Sequence, residues 1–168
     1  MSFEIERKFL VRSDAWRDLV STQTTIRQAY LATNGKSSIR VRIRGDATAT
    51  LTIKSRPADL RRLELEYPIP VLQAEALMPL REGSVIEKIR HIIPWGSLAW
   101  EIDVFSGENE GLTIAEIELK DVNQTVDLPT WIGREVTALP QYYNSFLVKQ
   151  PFRSWSLSDQ SFAKELTA

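Results

Sequence analysis

The first eleven residues, MSFEIERKFLV (residues 1–11), alternate charged and apolar side chains. Successive side chains of a β-strand point to opposite faces, so Glu4, Glu6 and Lys8 share one face of a strand predicted over residues 2–11. In open solvent this face would only make a solubilising edge. Inside a cavity, its two carboxylates would offer oxygen ligands to a divalent cation, and its ammonium would offer a counter-charge to a phosphate.

Seven further segments show the same alternation and are predicted to be strands. They cover residues 24–31, 38–45, 48–55, 62–69, 84–93, 98–105 and 112–121. Ser13 is predicted to cap a short helix, and Pro70 begins a second helix that ends near Leu80. From about Gln124 the chain is predicted to be helical and irregular, with a last helix that begins near Ser158.

The charged faces of these strands contain as many acids as bases. The acids are Glu4, Glu6, Glu64, Glu66, Glu101, Asp103, Glu116 and Glu118. The bases are Lys8, Arg40, Arg42, Arg44, Lys54, Lys88, Arg90 and Lys120.

Two architectures fit this pattern. In a plain β-sandwich or barrel, the apolar faces form the core and the charges lie in water. In an inverted barrel, the charged faces line a lumen and the apolar faces lie outward beneath helices. Alternation alone favours the first architecture, because charged outer faces are common. Two features argue for the second: like charges follow one another along single strands, as at Arg40, Arg42 and Arg44, and nearly all mid-strand polar positions are ionisable. Both architectures stay open at this point. The second predicts eight outward residues: Ile39, Val41, Leu51, Ile53, Leu63, Leu65, Ile102 and Ile117.

Composition excludes several classes of protein. Lys and Arg total 21 and Asp and Glu total 22, so the basic excess typical of a nucleic-acid-binding protein is absent. The 168 residues contain no Cys, which excludes thiol chemistry and disulfides and fits a cytoplasmic location. A strand begins within the first three residues and no apolar run approaches about 20 residues, so neither a signal peptide nor a membrane span is expected.

The stretch Glu4-Ile5-Glu6-Arg7-Lys8 has the form ExExK, and further charged rows follow it in order. These rows are Arg40-x-Arg42, Lys54, Glu64-x-Glu66, Lys88-x-Arg90, Glu101-x-Asp103 and Glu116-x-Glu118. With this order over nearly its whole length, the sequence resembles the CYTH, or triphosphate tunnel metalloenzyme, family. Residues 133–137 and Tyr142-Tyr143-Asn144 are also similar to short bacterial members.

The resemblance implies an α+β fold in which eight antiparallel strands close into a barrel, or tunnel, with a charged lumen and with helices packed on the outside. It implies one domain over residues 1–168 that hydrolyses a small-molecule triphosphate with Mg²⁺ or Mn²⁺ as cofactor. No nucleic acid and no membrane are expected as partners, and a homodimer is left open.

Charge and resemblance together assign a role to each row. The expected metal ligands are Glu4, Glu6, Glu116 and Glu118. The expected phosphate-binding residues are Arg40, Arg42, Lys54, Lys88 and Arg90. Lys8 and Tyr30 are the expected catalytic residues. A second metal or a supporting role is expected for Glu64, Glu66, Glu101 and Asp103.

Several functions stay open at this point. Inorganic tripolyphosphate is the favoured substrate, and its products would be pyrophosphate and phosphate. An adenylyl cyclase, a thiamine triphosphatase or a nucleoside triphosphatase would use the same charged rows. A polyphosphate-binding module without catalysis is disfavoured, since a pure anion binder gains nothing from eight acids. His91 lies out of phase with Lys88 and Arg90, so a structural role is expected for it.

Overall fold

The structure is a computed structural model that describes residues 2–56 and 62–164. Its strands are β1 (Ser2–Glu4), β2 (Glu6–Val11), β3 (Thr22–Thr33), β4 (Ser37–Arg44), β5 (Thr48–Ser55), β6 (Arg62–Ile69), β7 (Glu82–Trp95), β8 (Leu98–Ser106), β9 (Thr113–Glu118) and β10 (Ile132–Glu135). Its α-helices are α1 (Val71–Leu77), α2 (Asn144–Leu147) and α3 (Leu157–Lys164). Short 3₁₀ helices span Asp14–Leu19, Met78–Leu80, Gly107–Asn109, Pro140–Tyr142 and Phe152–Ser154.

These strands form one antiparallel sheet, as the resemblance implies. The order of the strands is β1-β6-β5-β4-β3-β7-β8-β9-β2-β10. Ile5 alone separates β1 from β2, yet β1 pairs with β6 and β2 pairs with β9. The two halves of the N-terminal strand, β1 and β2, therefore hydrogen-bond to strands that lie far apart in the strand order of the sheet.

The predicted count of eight strands is wrong. If β1 and β2 are taken as one interrupted strand, the described part of the chain has nine, because β10 lies in the region predicted to be helical and irregular. In β10, Ile132 lies opposite Val11 of β2 and Glu135 lies opposite Phe9. Four residues are too few to show a period-two pattern, so this strand depends on its partner rather than on its own sequence.

The register of the sheet places charged residues of distant strands side by side. On β2 and β9, Lys8 lies opposite Glu116 and Glu6 lies opposite Glu118. Glu116 also lies opposite Glu101 of β8. Because residues directly opposite each other point to the same face, these rows form one continuous charged face of the sheet.

The other face of the sheet bears two apolar clusters that short helices cover. Trp16, from the first 3₁₀ helix, is fully buried in a cluster with Trp100. Ala74 of α1 packs in a second cluster with Val41. His91 is buried beside Trp16 at 5.0 Å between ring centroids, and its Nδ1 lies 3.2 Å from the carbonyl oxygen of Ile102. The structural role expected for His91 is confirmed.

Helix cover of this outer face is incomplete. Of the residues predicted to lie outward, those fully buried are Val41, Ile102 and Ile117. The other five lie on the outer face of β4, β5 and β6 and are only half-buried: Ile39, Leu51, Ile53, Leu63 and Leu65. The cluster under α1 lies at the end of these strands where Ala49 pairs with Ile69, which leaves the other end less covered.

A third apolar cluster lies on the charged face, beyond one end of the charged rows. Leu10 and Ile114 belong to it, and each stands two residues from a charged-face residue, Lys8 or Glu116. The C-terminal segment, residues 136–164, packs against them. It contributes Val136, Tyr142, Leu147, Val148, Phe152 and Ala163. The prediction that the helices pack on the outside is therefore wrong for this segment.

Among the residues in the two described ranges, no helix combines the length and the apolar character needed to span a membrane.

Candidate active site

A cavity of about 670 Å³ opens on the charged face of the sheet. It is lined by every predicted site residue except Lys88 and Asp103. These lining residues are Glu4, Glu6, Lys8, Tyr30, Arg40, Arg42, Lys54, Glu64, Glu66, Arg90, Glu101, Glu116 and Glu118. Because Lys8, Arg42 and Glu116 are all buried, the charged face is not an open solvated surface, and the plain sandwich is excluded.

Two arginines of β4 lie in this cavity without a carboxylate partner in the described part of the chain. Arg40 and Arg42 are buried, and neither forms an ion pair with any residue that the structure describes. Their cross-strand neighbours on β5 are the neutral Thr52 and Thr50. The Nε of Arg40 is buried and has no hydrogen-bond partner among those residues. Two adjacent guanidinium groups that no described carboxylate neutralises have the charge and the donors to bind an anion.

The charge of Arg42 is unfavourable in its surroundings. Burial lowers the pKa of Arg42, and repulsion from Arg40, Arg90 and Arg44 lowers it further. Its Nε donates a hydrogen bond to Oε1 of Gln28 at 2.7 Å, a neutral partner that does not offset the charge. An anionic ligand would remove this electrostatic cost.

Two of the three lysines that line the cavity, Lys8 and Lys54, are ion-paired instead. Lys8 Nζ lies 2.7 Å from Glu116 Oε1, and Lys54 Nζ lies 2.5 Å from Glu4 Oε2. Burial alone would lower the pKa of Lys8, but attraction to Glu116 and Glu6 outweighs it and the pKa is raised. The pKa of Lys54 is raised in the same way, because Glu6 and Glu4 outweigh its burial. Both ammonium groups are therefore protonated at neutral pH.

Arg90 is held by two carboxylates of β8. Its Nε and Nη2 donate to the two oxygens of Asp103 at 2.7 and 2.8 Å, and its Nη1 lies 2.6 Å from Glu101 Oε2. Burial opposes the charge of Arg90, but Asp103 and Glu101 outweigh it, and the pKa of Arg90 is raised. Glu101 and Asp103 thus support a basic side chain, one of the two roles that the sequence left open for them.

Lys88 lies behind the wall of the cavity rather than on it. Its side chain and that of Asp103 are fully buried, and Lys88 Nζ lies 2.6 Å from Asp103 Oδ2. Burial lowers the pKa of Lys88 to about 7, because Asp103 offsets burial only in part and Arg90 and Arg42 lower the pKa further. Asp103 stays ionised, because Arg90 and Lys88 outweigh its burial and lower its pKa.

The acidic side of the cavity centres on Glu118. Burial raises the pKa of Glu118, and repulsion from Glu4, Glu101 and Glu6 raises it further. No ion pair with Glu118 exists among the described residues. Carboxylates that repel one another in this way match the charge and the oxygen ligands that a divalent cation prefers. As they stand, however, no three acids or histidines of the described chain are grouped closely enough to hold an ion.

Glu64 and Glu66 of β6 also contact neighbouring side chains. Glu64 Oε2 lies 3.3 Å from Lys54 Nζ. Glu66 Oε2 accepts a hydrogen bond from Thr52 at 3.1 Å, and Glu66 Oε1 lies 3.9 Å from a terminal nitrogen of Arg44. Glu64 thus contacts one basic side chain of the cavity, Lys54, and Glu66 contacts another, Arg44.

Two tyrosines line the cavity from different parts of the chain. Tyr30 of β3 is buried and lies opposite Arg40 in the sheet. Tyr143 comes from the C-terminal segment, and its ring centroid lies 5.8 Å from Lys8 Nζ and 5.0 Å from the guanidinium carbon of Arg62. Its hydroxyl donates to the carbonyl oxygen of Thr137 at 2.8 Å.

Some lining residues were not predicted to belong to the site. They include Arg44, Arg56, Arg62, Tyr143, Asn144, Phe146 and Lys149. Arg62 stands two residues before Glu64, so its alternation could have placed it on the charged face. The C-terminal residues belong to no alternating strand, and only the similarity of Tyr142-Tyr143-Asn144 to short bacterial members singles out two of them.

Residues 2–146 of the chain match the family model described as the CYTH domain. The chain belongs to the CYTH family. Two curated relatives are named inorganic triphosphatase. The relative from Acetivibrio thermocellus is 47% identical over 156 residues, covering 92% of this chain and 99% of the relative. The relative from Nitrosomonas europaea is 40% identical over 149 residues, covering 86% of this chain and 95% of the relative.

Two solved structures share the fold. The crystal structure of the inorganic triphosphatase NE1496 has a TM-score of 0.65 at 34% identity and covers 88% of this chain and 95% of that chain. The PH1012 protein from Pyrococcus horikoshii has a TM-score of 0.56 at 19% identity and covers 71% of this chain and 80% of that chain. At this identity, the similarity supports the fold and nothing about function. The charged cavity described above therefore lies within a CYTH fold.

Proposed function

We propose that this chain hydrolyses inorganic triphosphate to pyrophosphate and phosphate. The observation that carries the proposal is the separation of charge within one cavity. Arg40 and Arg42 form no ion pair with a described residue, and Glu118 lies among other carboxylates. A polyphosphate with an attached divalent cation matches both parts of this cavity. The similarity to two relatives named inorganic triphosphatase supports this choice of substrate.

Arg40 and Arg42 would bind the phosphates directly, because a guanidinium group can donate two parallel hydrogen bonds to phosphate oxygens. Lys54 and Arg90 line the same cavity but are already held by carboxylates, so they would chiefly add positive potential. Lys88 would act at a distance, because it does not line the cavity.

Glu4, Glu6, Glu116 and Glu118 would hold the cofactor, Mg²⁺ or Mn²⁺, through carboxylate oxygens. Their fit to a cation rests on Glu118, whose pKa is raised by burial and by neighbouring carboxylates. When bound, the ion would neutralise phosphate charge and polarise phosphoryl oxygens.

Lys8 and Tyr30 are the proposed catalytic residues. In hydrolysis, a water oxygen bonds to a terminal phosphorus while the bond from that phosphorus to the bridging oxygen breaks, and pyrophosphate leaves. Lys8 is held protonated by Glu116, so we assign it to stabilise the charge that develops on the leaving oxygen rather than to accept a proton. Tyr30 would orient the phosphate that Arg40 binds, because the two residues lie opposite each other.

The proposal includes closure of the sheet into a tunnel by the first strand. Its support is that β1 pairs with β6 while β2 pairs with β9, with one residue between them. The domain would span residues 1–168, since residues beyond the family match pack against the sheet. The proposed partner is the triphosphate itself, without nucleic acid or membrane, and the absence of Cys supports a cytoplasmic location.

Product release from a panel of substrates tests this function. The panel contains tripolyphosphate, ATP and thiamine triphosphate, each with Mg²⁺ and with Mn²⁺, and cyclic AMP is measured in parallel. We expect the highest kcat/KM with tripolyphosphate and no product in chelator, and the Arg40→Ala/Arg42→Ala variant controls for contaminating activity. A preference for another triphosphate, or formation of cyclic AMP, would select one of the other enzymes, and binding without any product would select the polyphosphate-binding module.

A further inference from the structure

We infer that Gln28 and Asn144 are positioning residues for phosphate binding, a role that rests on the proposed function. Together they form an uncharged bridge from Arg42 to the C-terminal segment. Arg42 Nε donates to Gln28 Oε1 at 2.7 Å, and Gln28 Nε2 donates to Asn144 Oδ1 at 3.0 Å. Lys88 Nζ donates to the same oxygen of Asn144 at 3.1 Å.

The bridge uses both the oxygen and the nitrogen of the Gln28 amide. Gln28 is completely buried, and its oxygen accepts from Arg42 while its nitrogen donates to Asn144. An amide can do both at once, whereas a carboxylate only accepts. With both ends bonded, the side chain of Gln28 is held in one orientation, and it holds the guanidinium group of Arg42 in turn.

The lack of charge in this bridge matters for an anion-binding arginine. Asp103 and Glu101 hold Arg90 in place and also neutralise its charge. Arg42 is held by an amide, so its full positive charge is retained within the cavity. A carboxylate at position 28 would hold Arg42 as well or better, but it would compete with the phosphate for the same group.

The position of Asn144 is set by packing rather than by its own loop. Asn144 begins α2, and Leu147 and Val148 at the other end of that helix are buried in the inner apolar cluster. Ser84 of β7 donates its backbone N–H to the carbonyl oxygen of Val148 at 2.8 Å. The C-terminal segment therefore presents Asn144 to Gln28 from a rigid support.

The test is a double-mutant cycle measured as tripolyphosphate affinity, by calorimetry in chelator, and as KM and kcat with Mg²⁺. Asn144→Leu removes the acceptor, and Gln28→Met removes both amide contacts at nearly constant volume. Each should raise Kd and KM by about tenfold, with a smaller change in kcat, because an arginine contact is misplaced rather than removed. In the Arg42→Ala background, neither should raise Kd further. Gln150→Met, at an exposed position of the same segment, is the matched control.

A third variant separates positioning from mere folding. Gln28→Glu keeps the acceptor for Arg42, so its melting temperature should be no lower than that of the wild type, yet its Kd for tripolyphosphate should rise. Additive effects in the cycle, or a wild-type Kd in Gln28→Glu, would overturn the inference while the wild type remains active. If Asn144→Leu does not fold, the cycle with Gln28→Met decides. A wild-type protein that neither binds nor hydrolyses tripolyphosphate would overturn the proposed function as well.

Discussion

Lys8 Nζ lies 2.7 Å from Glu116 Oε1, and both side chains are almost completely shielded from water. The pair joins β2 to β9, where the two residues lie directly opposite each other. Burial alone would raise the pKa of Glu116, but Lys8 and Arg90 outweigh it and the pKa is lowered. A phosphate that enters the cavity therefore meets an ammonium group that is both protonated and held in place.

Replacing Lys8 by Ala should lower kcat by about 100-fold while raising KM much less, because the ammonium group acts on charge that develops in the transition state. Steady-state kinetics with tripolyphosphate and Mg²⁺ measure both constants. Lys120→Ala, which removes an exposed lysine, is the control and should leave both unchanged. A raised KM with an unchanged kcat would make Lys8 another phosphate-binding residue.

Replacing Glu118 by Gln should abolish metal-dependent hydrolysis without lowering the free energy of unfolding. The carboxylate is destabilised by burial and by Glu4, Glu101 and Glu6, so its removal relieves repulsion. Tripolyphosphate binding in chelator should persist, because Arg40 and Arg42 are untouched. Phosphate release, urea denaturation and calorimetry measure the three effects. Normal hydrolysis by this variant would show that Glu118 does not hold the catalytic metal.

The pH dependence of stability should contain a contribution from Lys88. Its pKa falls from 10.5 in the unfolded chain to about 7 in the folded protein, so between these values the unfolded chain binds more protons. The Lys88 contribution to stability is therefore unfavourable below the folded pKa and improves as pH rises towards the unfolded pKa. Relative to Lys88→Met, the wild type should gain stability between about pH 7 and pH 9. Urea denaturation in chelator measures this difference, and a constant difference would contradict the shifted pKa.

Arg42→Gln should raise the melting temperature of the ligand-free protein but reduce its rise with ligand. Arg42 is a buried charge that Arg40 and Arg90 repel, so its loss relieves an electrostatic cost. The wild type should gain about 2.7 kcal/mol at a tripolyphosphate concentration one hundred times Kd, and the variant much less at that concentration. Arg153→Gln, at an exposed ion pair with Glu110, controls for charge alone. An equal ligand-induced shift in wild type and Arg42→Gln would remove Arg42 from the phosphate site.

Gly83→Ala should destabilise the protein more than Gly96→Ala. Both glycines have positive φ, at 68° and 61°, so both substitutions incur the backbone strain of a left-handed residue. A Cβ at Gly83 would lie 2.1 Å from the carbonyl oxygen of Val148, whereas one at Gly96 would meet no atom within 4 Å. The extra cost should be at least about 1 kcal/mol, measured by thermal or urea unfolding. Equal costs would show that the C-terminal segment is loosely packed on β7.

The face on which each strand residue lies was determined by the sequence alone, because a period of two is a local property of the backbone. The strands predicted over residues 48–55 and 62–69 coincide with β5 and β6. The same alternation placed Lys8, Arg42 and Glu116 on one face, and the structure brings all three to one cavity.

Which charges neutralise one another was decided only by the tertiary structure. Arg42 and Arg90 look alike in the sequence, each in a row of bases on an alternating strand. Arg90 lies opposite Asp103 of β8, whereas Arg42 lies opposite Thr50 of β5 and Gln28 of β3. Whether carboxylates neutralise an arginine or leave its charge available therefore depends on which strands pair and in what register.

The contribution of the C-terminal segment to the cavity was likewise decided only by the tertiary structure. Asn144 contacts Gln28 across a separation of 116 residues, and it stands in a stretch without strand alternation. Its place depends on the burial of Leu147 and Val148 against the inner apolar cluster. A short apolar stretch buries itself wherever a matching surface exists, and that surface forms only when the sheet brings Leu10 and Ile114 side by side.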